Sequence, residues 1–361
     1  MHLNGYVFID AHRIRTQRKG VLPSTMRTQS IEVHKSPQVP PAPPASRDLI
    51  SIHDLAPHEV HALFNLTAML KQRPADFRGV LAGKQMVMFF EKPSLRTRLT
   101  FEAGMDSLGG STFFVDQTRS RLDARESLYD IAHNLERWID VIVLRTYRHA
   151  TVEEMAAHAD VPVINALSEV EHPCQALADF FTLQEHFGNV SKIHLAYVGD
   201  GNNVAHSLLL TGAALGAAVS IATPEAYRPN PGIVAAAELL AEQSGAAINI
   251  LTDPAEAVAG ADAVYTDAWA SMGQEDEADV RSGVFAPYQV NGELMQYAAP
   301  HAKVMHCLPA HRGWEVTDEV IDSPNSVVFD QAENRLHIQK AILVWLLGGG
   351  VGRLPVRSAH A

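Results

Sequence analysis

Two cysteines, Cys174 and Cys307, are all that the 361 residues contain. So few exclude a disulfide framework, and their separation matches no zinc-ligand spacing, so a reducing compartment is the simpler reading. Long apolar runs are missing too: none reaches the ~18–20 residues a bilayer-spanning helix needs. No short apolar stretch behind a basic start marks a secretory leader. Positive charge is scarce. Lys and Arg number 29 against 41 Asp and Glu, a formal net charge of −12, which argues against nucleic acid or an anionic membrane as the main partner. Any anion site must therefore be built locally, against the field of the whole chain. The 18 histidines are scattered, and without an H-E-x-x-H or related spacing no metal site is expected.

Apolar residues make up 47% and charged residues 19%, the balance of an ordinary globular protein with a large core. The length suits about two domains. Residues 1–47 stand apart, because Arg13, Arg15, Arg18, Lys19 and Arg27 outweigh Asp10, and a proline-rich tract runs from Pro37 to Pro44. This composition cannot bury a core, and a disordered or extended arm is expected. Its arginine-rich character leaves a mitochondrial transit peptide open, beside a dispensable extension or a start codon placed too early, with Met26 as an internal candidate.

Beyond the arm, short apolar runs alternate with helical periodicity, the signature of parallel α/β sheets. Strands are expected at 85–90, 111–115, 140–144 and 161–165, then in a second series at 193–198, 218–222, 248–251, 263–266 and 304–306. Residues 274–288 read as a mobile acidic loop. A strongly apolar helix over 338–347, opened by Gln331 to His337, is expected to pack back on the first domain. The expected fold is α/β in two domains, 48–187 and 188–334, each a parallel sheet flanked by helices, with 335–361 as C-terminal helix and tail.

Chemistry-bearing residues gather where strands end. Ser94-Leu95-Arg96-Thr97-Arg98 lies between the first strand and a helix, with Ser94 placed as N-cap. Backbone N–H groups, hydroxyls and two guanidinium groups converge there, which suits a phosphate or similar oxyanion. Taken alone, the run suits a capped helix with solvated arginines equally well. Ligands in open α/β sheets sit beyond the carboxyl ends of strands, so Arg145 is expected on the same rim, with a solvated arginine as the alternative. In Glu171-His172-Pro173-Cys174-Gln175, Pro173 fits a first helical turn. That puts His172 and Gln175 at the helix opening, facing the anion site, while Cys174 reads as packing. Gly199-Asp200-Gly201-Asn202-Asn203-Val204 imitates a dinucleotide fingerprint and raises a dehydrogenase as a competing idea. Val204 stands where its last glycine is required, and Glu225 alone does not restore the motif.

Six segments in order resemble the aspartate/ornithine carbamoyltransferase family, its ornithine-using branch most. They are Ser94 to Arg98, His172 to Gln175, Gly199 to Asn203, Asp267 to Gly273 with its Ser-Met-Gly triplet, His306-Cys307-Leu308-Pro309, and Ala332-Glu333-Asn334-Arg335. The resemblance spans about Asp48 to Leu347. It implies transfer of the carbamoyl group of carbamoyl phosphate to the side-chain amine of L-ornithine, giving L-citrulline and phosphate. The step belongs to arginine biosynthesis or, in reverse, to catabolism. Carbamoyl phosphate would bind the first domain and ornithine the second, without metal or organic cofactor. A homotrimer or multiple of trimers is implied, in the cytoplasm, or in the mitochondrial matrix if the arm is a transit peptide.

Carried over residue by residue, Ser94, Leu95 (through its backbone N–H), Arg96, Thr97 and Arg145 would hold the phosphate. His172, with Arg96, Thr97 and Arg335, would polarise the carbonyl, and Gln175 would hold the carbamoyl amide. Asp267 would pair with the α-amino group of ornithine, Asn203 and the Met272 backbone would take its carboxylate, and Ser271 would add a contact. Cys307 and the Leu308 backbone would lie beside the reacting amine, so Arg96, His172, Cys307 and Arg335 form the implied catalytic group. Leu95 stands where many members have Thr, and Trp314 where a more polar residue is expected; neither touches the chemistry. The rivals are sister enzymes acting on N-acylornithine, putrescine or aspartate, and a non-catalytic metabolite-binding homologue. Asp267 beside Ser-Met-Gly suits a free α-amino group.

Overall fold

A computed structural model describes residues 48–119, 121–270 and 275–348. The arm expected at 1–47, Ser271 and Met272 of the implied site, and the tail beyond 348 lie outside the described residues.

Two parallel sheets form the framework. The first contains β1 (Gln85–Phe90), β2 (Ser111–Asp116), β3 (Val141–Arg145) and β4 (Val163–Leu167), in the order β2-β1-β3-β4. The second contains β5 (His194–Val198), β6 (Ala218–Ala222), β7 (Ile248–Leu251), β8 (Ala263–Thr266) and β9 (Lys303–His306), in the order β7-β6-β5-β8-β9. Every pairing is parallel. Parallel strands need helical crossovers that cover both faces, so central strands read as unbroken apolar runs. Met86 to Phe90 and Leu195 to Val198 are accordingly all buried, whereas the edge strand β2 is largely open to solvent.

The helices are α1 (Pro57–Gln72), α2 (Leu95–Ser107), α3 (Leu128–Leu135), α4 (His149–His158), α5 (Pro173–Phe187) and α6 (Asn203–Leu215), followed by α7 (Pro231–Ser244) and α8 (Pro254–Val258). Then come α9 (Ala278–Phe285), two single-turn helices, α10 (Gly292–Met295) and α11 (Asp318–Ile321), and finally α12 (Val328–Leu347). None of the described helices is long and apolar enough to cross a membrane. Ser94 caps α2 through its Oγ, which accepts from Thr97 N at 3.2 Å. Pro173 opens α5 with His172 as its N-cap residue. Helix α12 packs along α1, α2 and α5, the helices of the first sheet.

Two stretches depart from expectation. Helix α12 begins at Val328, ahead of Gln331, because its inward face at that end is polar: Gln331, Asn334 and Arg335 are buried and hydrogen-bonded instead of apolar. The stretch read as a mobile acidic loop is helical over 278–285, flanked by 3-10 turns at Glu275–Glu277 and Ala286–Tyr288. Arg281 and Phe285, four residues apart, form its buried face. An arginine in the inward position hides the periodicity.

Candidate active site

Each sheet reverses its strand order once beside its first strand, between β1 and β3 and between β5 and β8. The carboxyl ends of these strands meet across a cleft of about 1220 Å³, where open α/β sheets hold their ligands.

The first sheet supplies its cationic side. Ser94, Leu95, Arg96 and Thr97 line the cleft from the start of α2, Arg145 from the end of β3, and His172 and Gln175 from the start of α5. Arg335 arrives from α12 and is almost fully buried; its Nη2 donates to Thr97 Oγ1 at 2.7 Å and its Nη1 to Gln175 Oε1. Arg98 does not contribute the second guanidinium expected of this run. It lies over the Phe114 ring at 3.7 Å and pairs with Glu102 at 2.9 Å, which leaves Arg335 to fill that part. Leu95, one residue past the cap, is 69% exposed.

Like charges crowd here. Arg145 is pushed down to about 9 by burial and by Arg335 and Arg96, with Cys307 opposing. His172 is held well below the usual imidazole range by burial and by Arg335 and Arg145, so it is neutral at physiological pH. Arg145 Nε, Arg335 Nε and His172 Nδ1 are buried without a hydrogen-bond partner among the described residues. Buried polar atoms left unpaired are costly, and so are like charges side by side; an anionic ligand in the cleft would offset the second cost.

The second sheet supplies the opposite side. The Asp267 carboxylate, just past β8, accepts from Asn202 Nδ2 at 2.9 Å, from Ala268 N at 2.8 Å and from Cys307 Sγ at 3.0 Å. Asn202 also caps α6 by accepting from Val204 N and Ala205 N, so one side chain sets both the helix start and the carboxylate. Asn203 lines the cleft and donates from Nδ2 to Ser168 O at 2.6 Å, tying the two sheets together. Leu308 takes φ 60°, a left-handed geometry that costs a branched residue roughly 1–2 kcal/mol; its N–H is held by His306 Nδ1 at 2.8 Å. Ligand atoms of Asp267, His306 and Cys307 lie within 4.8 Å of one another. Both His306 nitrogens are already engaged, Nε2 with Glu315 at 3.2 Å, and the Cys307 thiol bonds to Asp267, so the cluster is satisfied within the protein.

Several residues around the site carry no motif in the sequence. Arg281 Nη1 joins Asp200 at 2.8 Å and the Trp269 carbonyl at 2.9 Å, anchoring the chain on both sides of 271–274. Glu91, just past β1, accepts from Leu122 N and Tyr147 N, bracing the loops after β2 and β3. Glu171 is buried beside His172; it accepts from Ser51 Oγ, from Ile52 N at 3.1 Å and from Ser207 Oγ at 3.2 Å, and Ser207 in turn accepts from His172 N at 2.9 Å.

Burial raises the Glu171 carboxyl from 4.5 to about 7 against those three hydrogen bonds. Between these values the folded chain holds a proton that the unfolded chain has released, so stability falls as pH rises through this window. The loss amounts to roughly 3 kcal/mol at most. Glu171→Gln can keep the bonds with its oxygen on Ile52 and Ser207 and its nitrogen on Ser51. Urea denaturation at pH 5 and pH 8 should show wild type losing stability from this group, while the variant does not.

Two family models cover the chain: the carbamoyl-P binding domain of aspartate/ornithine carbamoyltransferase over residues 47–185, and the Asp/Orn binding domain over 191–346. An ornithine carbamoyltransferase of Pyrococcus abyssi is 50% identical over 305 residues, covering 84% of this chain and 96% of its own. The anabolic ornithine carbamoyltransferase of Pyrococcus furiosus is 49% identical over 307 residues, covering 84% and 98%. A solved structure of ornithine carbamoyltransferase from Pyrococcus furiosus superposes with a TM-score of 0.82 over 84% of this chain and 98% of that one, at 49% identity. With both halves matched and the cleft lying between them, this chain belongs to the aspartate/ornithine carbamoyltransferase family.

Proposed function

We propose that this protein transfers the carbamoyl group of carbamoyl phosphate to the side-chain amine of L-ornithine, giving L-citrulline and phosphate. The observation that carries the reading is the cationic side of the cleft, lined by Arg96, Arg145 and Arg335 with neutral His172 among them, in a chain of net charge −12. A dianionic phosphate with a carbonyl attached matches that charge and those donors.

In this reading Ser94, the Leu95 N–H, Arg96, Thr97 and Arg145 hold the phosphate at the positive end of α2. His172, Arg96, Thr97 and Arg335 face the carbonyl oxygen, where charge develops on attack. Ornithine's side-chain amine has a free pKa near that of lysine, ~10.4; approach to the cationic cradle and loss of water both favour its neutral form. Its nitrogen attacks the carbonyl carbon directly, a tetrahedral intermediate forms, phosphate leaves with the bonding pair, and the amine proton passes to it. Asp267, held by Asn202, takes the α-ammonium, while Asn203 and Met272 take the carboxylate and Ser271 adds a contact.

Cys307 needs no covalent role. Burial and the Asp267 carboxylate raise its thiol well above the ordinary value, so it is not a thiolate. Cys307→Ser should keep steady-state turnover within about tenfold of wild type, since it keeps a donor toward Asp267. A larger loss, with a covalent adduct seen by mass spectrometry, would make Cys307 a nucleophile.

We place the division between the carbamoyl phosphate and ornithine halves near 187/188, and assign the enzyme to the biosynthetic direction in the cytoplasm. We also propose a homotrimer or multiple of trimers; the exposed Leu95, Leu99 and Phe113 around the start of α2 and the edge strand β2 support a subunit contact there. The substrate assignment is tested by citrulline-type product formation with L-ornithine, N-acetylornithine, putrescine and L-aspartate in parallel. Ornithine should exceed the others by at least about tenfold, since N-acylornithine leaves Asp267 without a cation and putrescine leaves Asn203 without a carboxylate. Preference for another amine would overturn the assignment.

A further inference from the structure

Behind the cationic side of the cleft lies a carboxylate that the transfer reaction does not touch. Asp179 is fully buried on α5, one turn after Gln175. Its Oδ1 accepts from Gln175 Nε2 at 2.8 Å and from Gln331 Nε2 at 2.9 Å, and its Oδ2 accepts from Tyr265 Oη at 3.0 Å. Three elements, α5, α12 and β8, thus deliver one donor each to a single side chain.

An ionised carboxylate can only accept hydrogen bonds. Its bond to Gln175 therefore decides which end of that amide faces which way. The nitrogen turns back to Asp179, and the oxygen meets Arg335 at the wall of the cleft. Gln331 is fixed in the same manner: its nitrogen is taken by Asp179, and its oxygen accepts from His306 N at 3.0 Å, beside the Cys307-Leu308 loop. Burial raises the Asp179 carboxyl to about 6, against hydrogen bonds from Gln331, Gln175 and Tyr265 and the charge of Arg335, so it is ionised at neutral pH.

We propose that Asp179 is a positioning residue: by locking the Gln175 amide with its oxygen toward the cleft, it makes the site select an acyl phosphate bearing an NH₂ group over one lacking it. This rests on the carbamoyl phosphate half of the proposed function. Acetyl phosphate has the same phosphate and the same carbonyl, with a methyl group in place of the NH₂. A fixed carbonyl oxygen accepts from the NH₂ and gains nothing from the methyl group. A reversed amide would set donor against donor, and a freely turning one would discriminate poorly.

The test is calorimetric titration of wild type, Asp179→Ser and Asp179→Asn with carbamoyl phosphate, acetyl phosphate and inorganic phosphate. Wild type should bind carbamoyl phosphate about tenfold or more tightly than acetyl phosphate. In Asp179→Ser that ratio should fall to about twofold or less, while acetyl phosphate and inorganic phosphate bind within about threefold of wild type. Asp179→Asn should keep the ratio, since its oxygen can serve both glutamine amides and its nitrogen can donate to Tyr265 Oη. An unchanged ratio in Asp179→Ser overturns the proposal, and so does an equal weakening of all three ligands, which marks a merely structural role. Should Asp179→Ser fail to fold, loss of the ratio in Asp179→Asn overturns it, and retention supports it. Wild type that binds phosphate but does not distinguish the two acyl phosphates defeats the proposal while the transfer reading stands; wild type that binds none of the three defeats both.

Discussion

Arg335→Ala is expected to lower kcat/KM for citrulline formation by roughly 10²–10³-fold, the usual loss for one donor aimed at a developing oxyanion. The arginine reaches the site from the last described helix, buried and pinned between Thr97 and Gln175, with its Nε unpaired. Its fork holds two side chains of the first domain, Thr97 on α2 and Gln175 on α5, at the wall of the cleft. A lysine has neither the planar fork nor that reach, so Arg335→Lys should recover little of the loss. Stability should respond far less than turnover. Burial and the charge of Arg96 oppose the guanidinium, while Asp179 favours it, so removing it relieves one cost as it breaks two hydrogen bonds. Steady-state kinetics beside a urea midpoint separates the two effects. Equal collapse of both would make Arg335 a structural residue.

His172→Ala is expected to lose about 10²–10³-fold in kcat/KM, with His172→Gln regaining part through its amide donor. The imidazole is neutral because burial, Arg335 and Arg145 all disfavour its charged form. A neutral imidazole offers a hydrogen bond and no charge, so kcat/KM should show no limb near 6.5 from this residue. The linkage runs opposite to that of Glu171. The unfolded imidazole takes a proton near 6.5 while the folded one resists, so the folded state loses stability as pH falls below that value. In denaturation from pH 7 to pH 5, wild type should carry this loss and His172→Gln should lack it. A midpoint difference independent of pH would mean that folding leaves the His172 imidazole unshifted, and one that grows as pH rises would mean that the folded chain holds it charged.

The parallel sheets were legible because buried central strands such as Met86 to Phe90 leave an unbroken apolar record, and the helix openings because Ser94 and Pro173 occupy capping and first-turn positions. Most of the cleft's lining was legible for the same reason: strand ends and helix starts are where ligands bind. What escaped the sequence are buried polar residues that look like surface ones. Arg281, Asp179 and Gln331 each face inward at helical spacing, yet a hydropathy pattern counts them as outward. Their burial is sustained by hydrogen bonds to partners up to 152 residues away, as between Gln331 and Asp179, which no local spacing reveals. Arg98 failed in the reverse sense: its place in the motif suggested the anion site, but Phe114 and Glu102 offered it a nearer resting place.

The most direct test is the stoichiometry of the reaction with carbamoyl phosphate and L-ornithine, run for wild type beside Arg96→Ala. Wild type is expected to form one citrulline for each phosphate released, and Arg96→Ala to fall by roughly 10²-fold or more with its fold intact. Phosphate release without citrulline, or no turnover by a folded wild-type protein, would contradict the account.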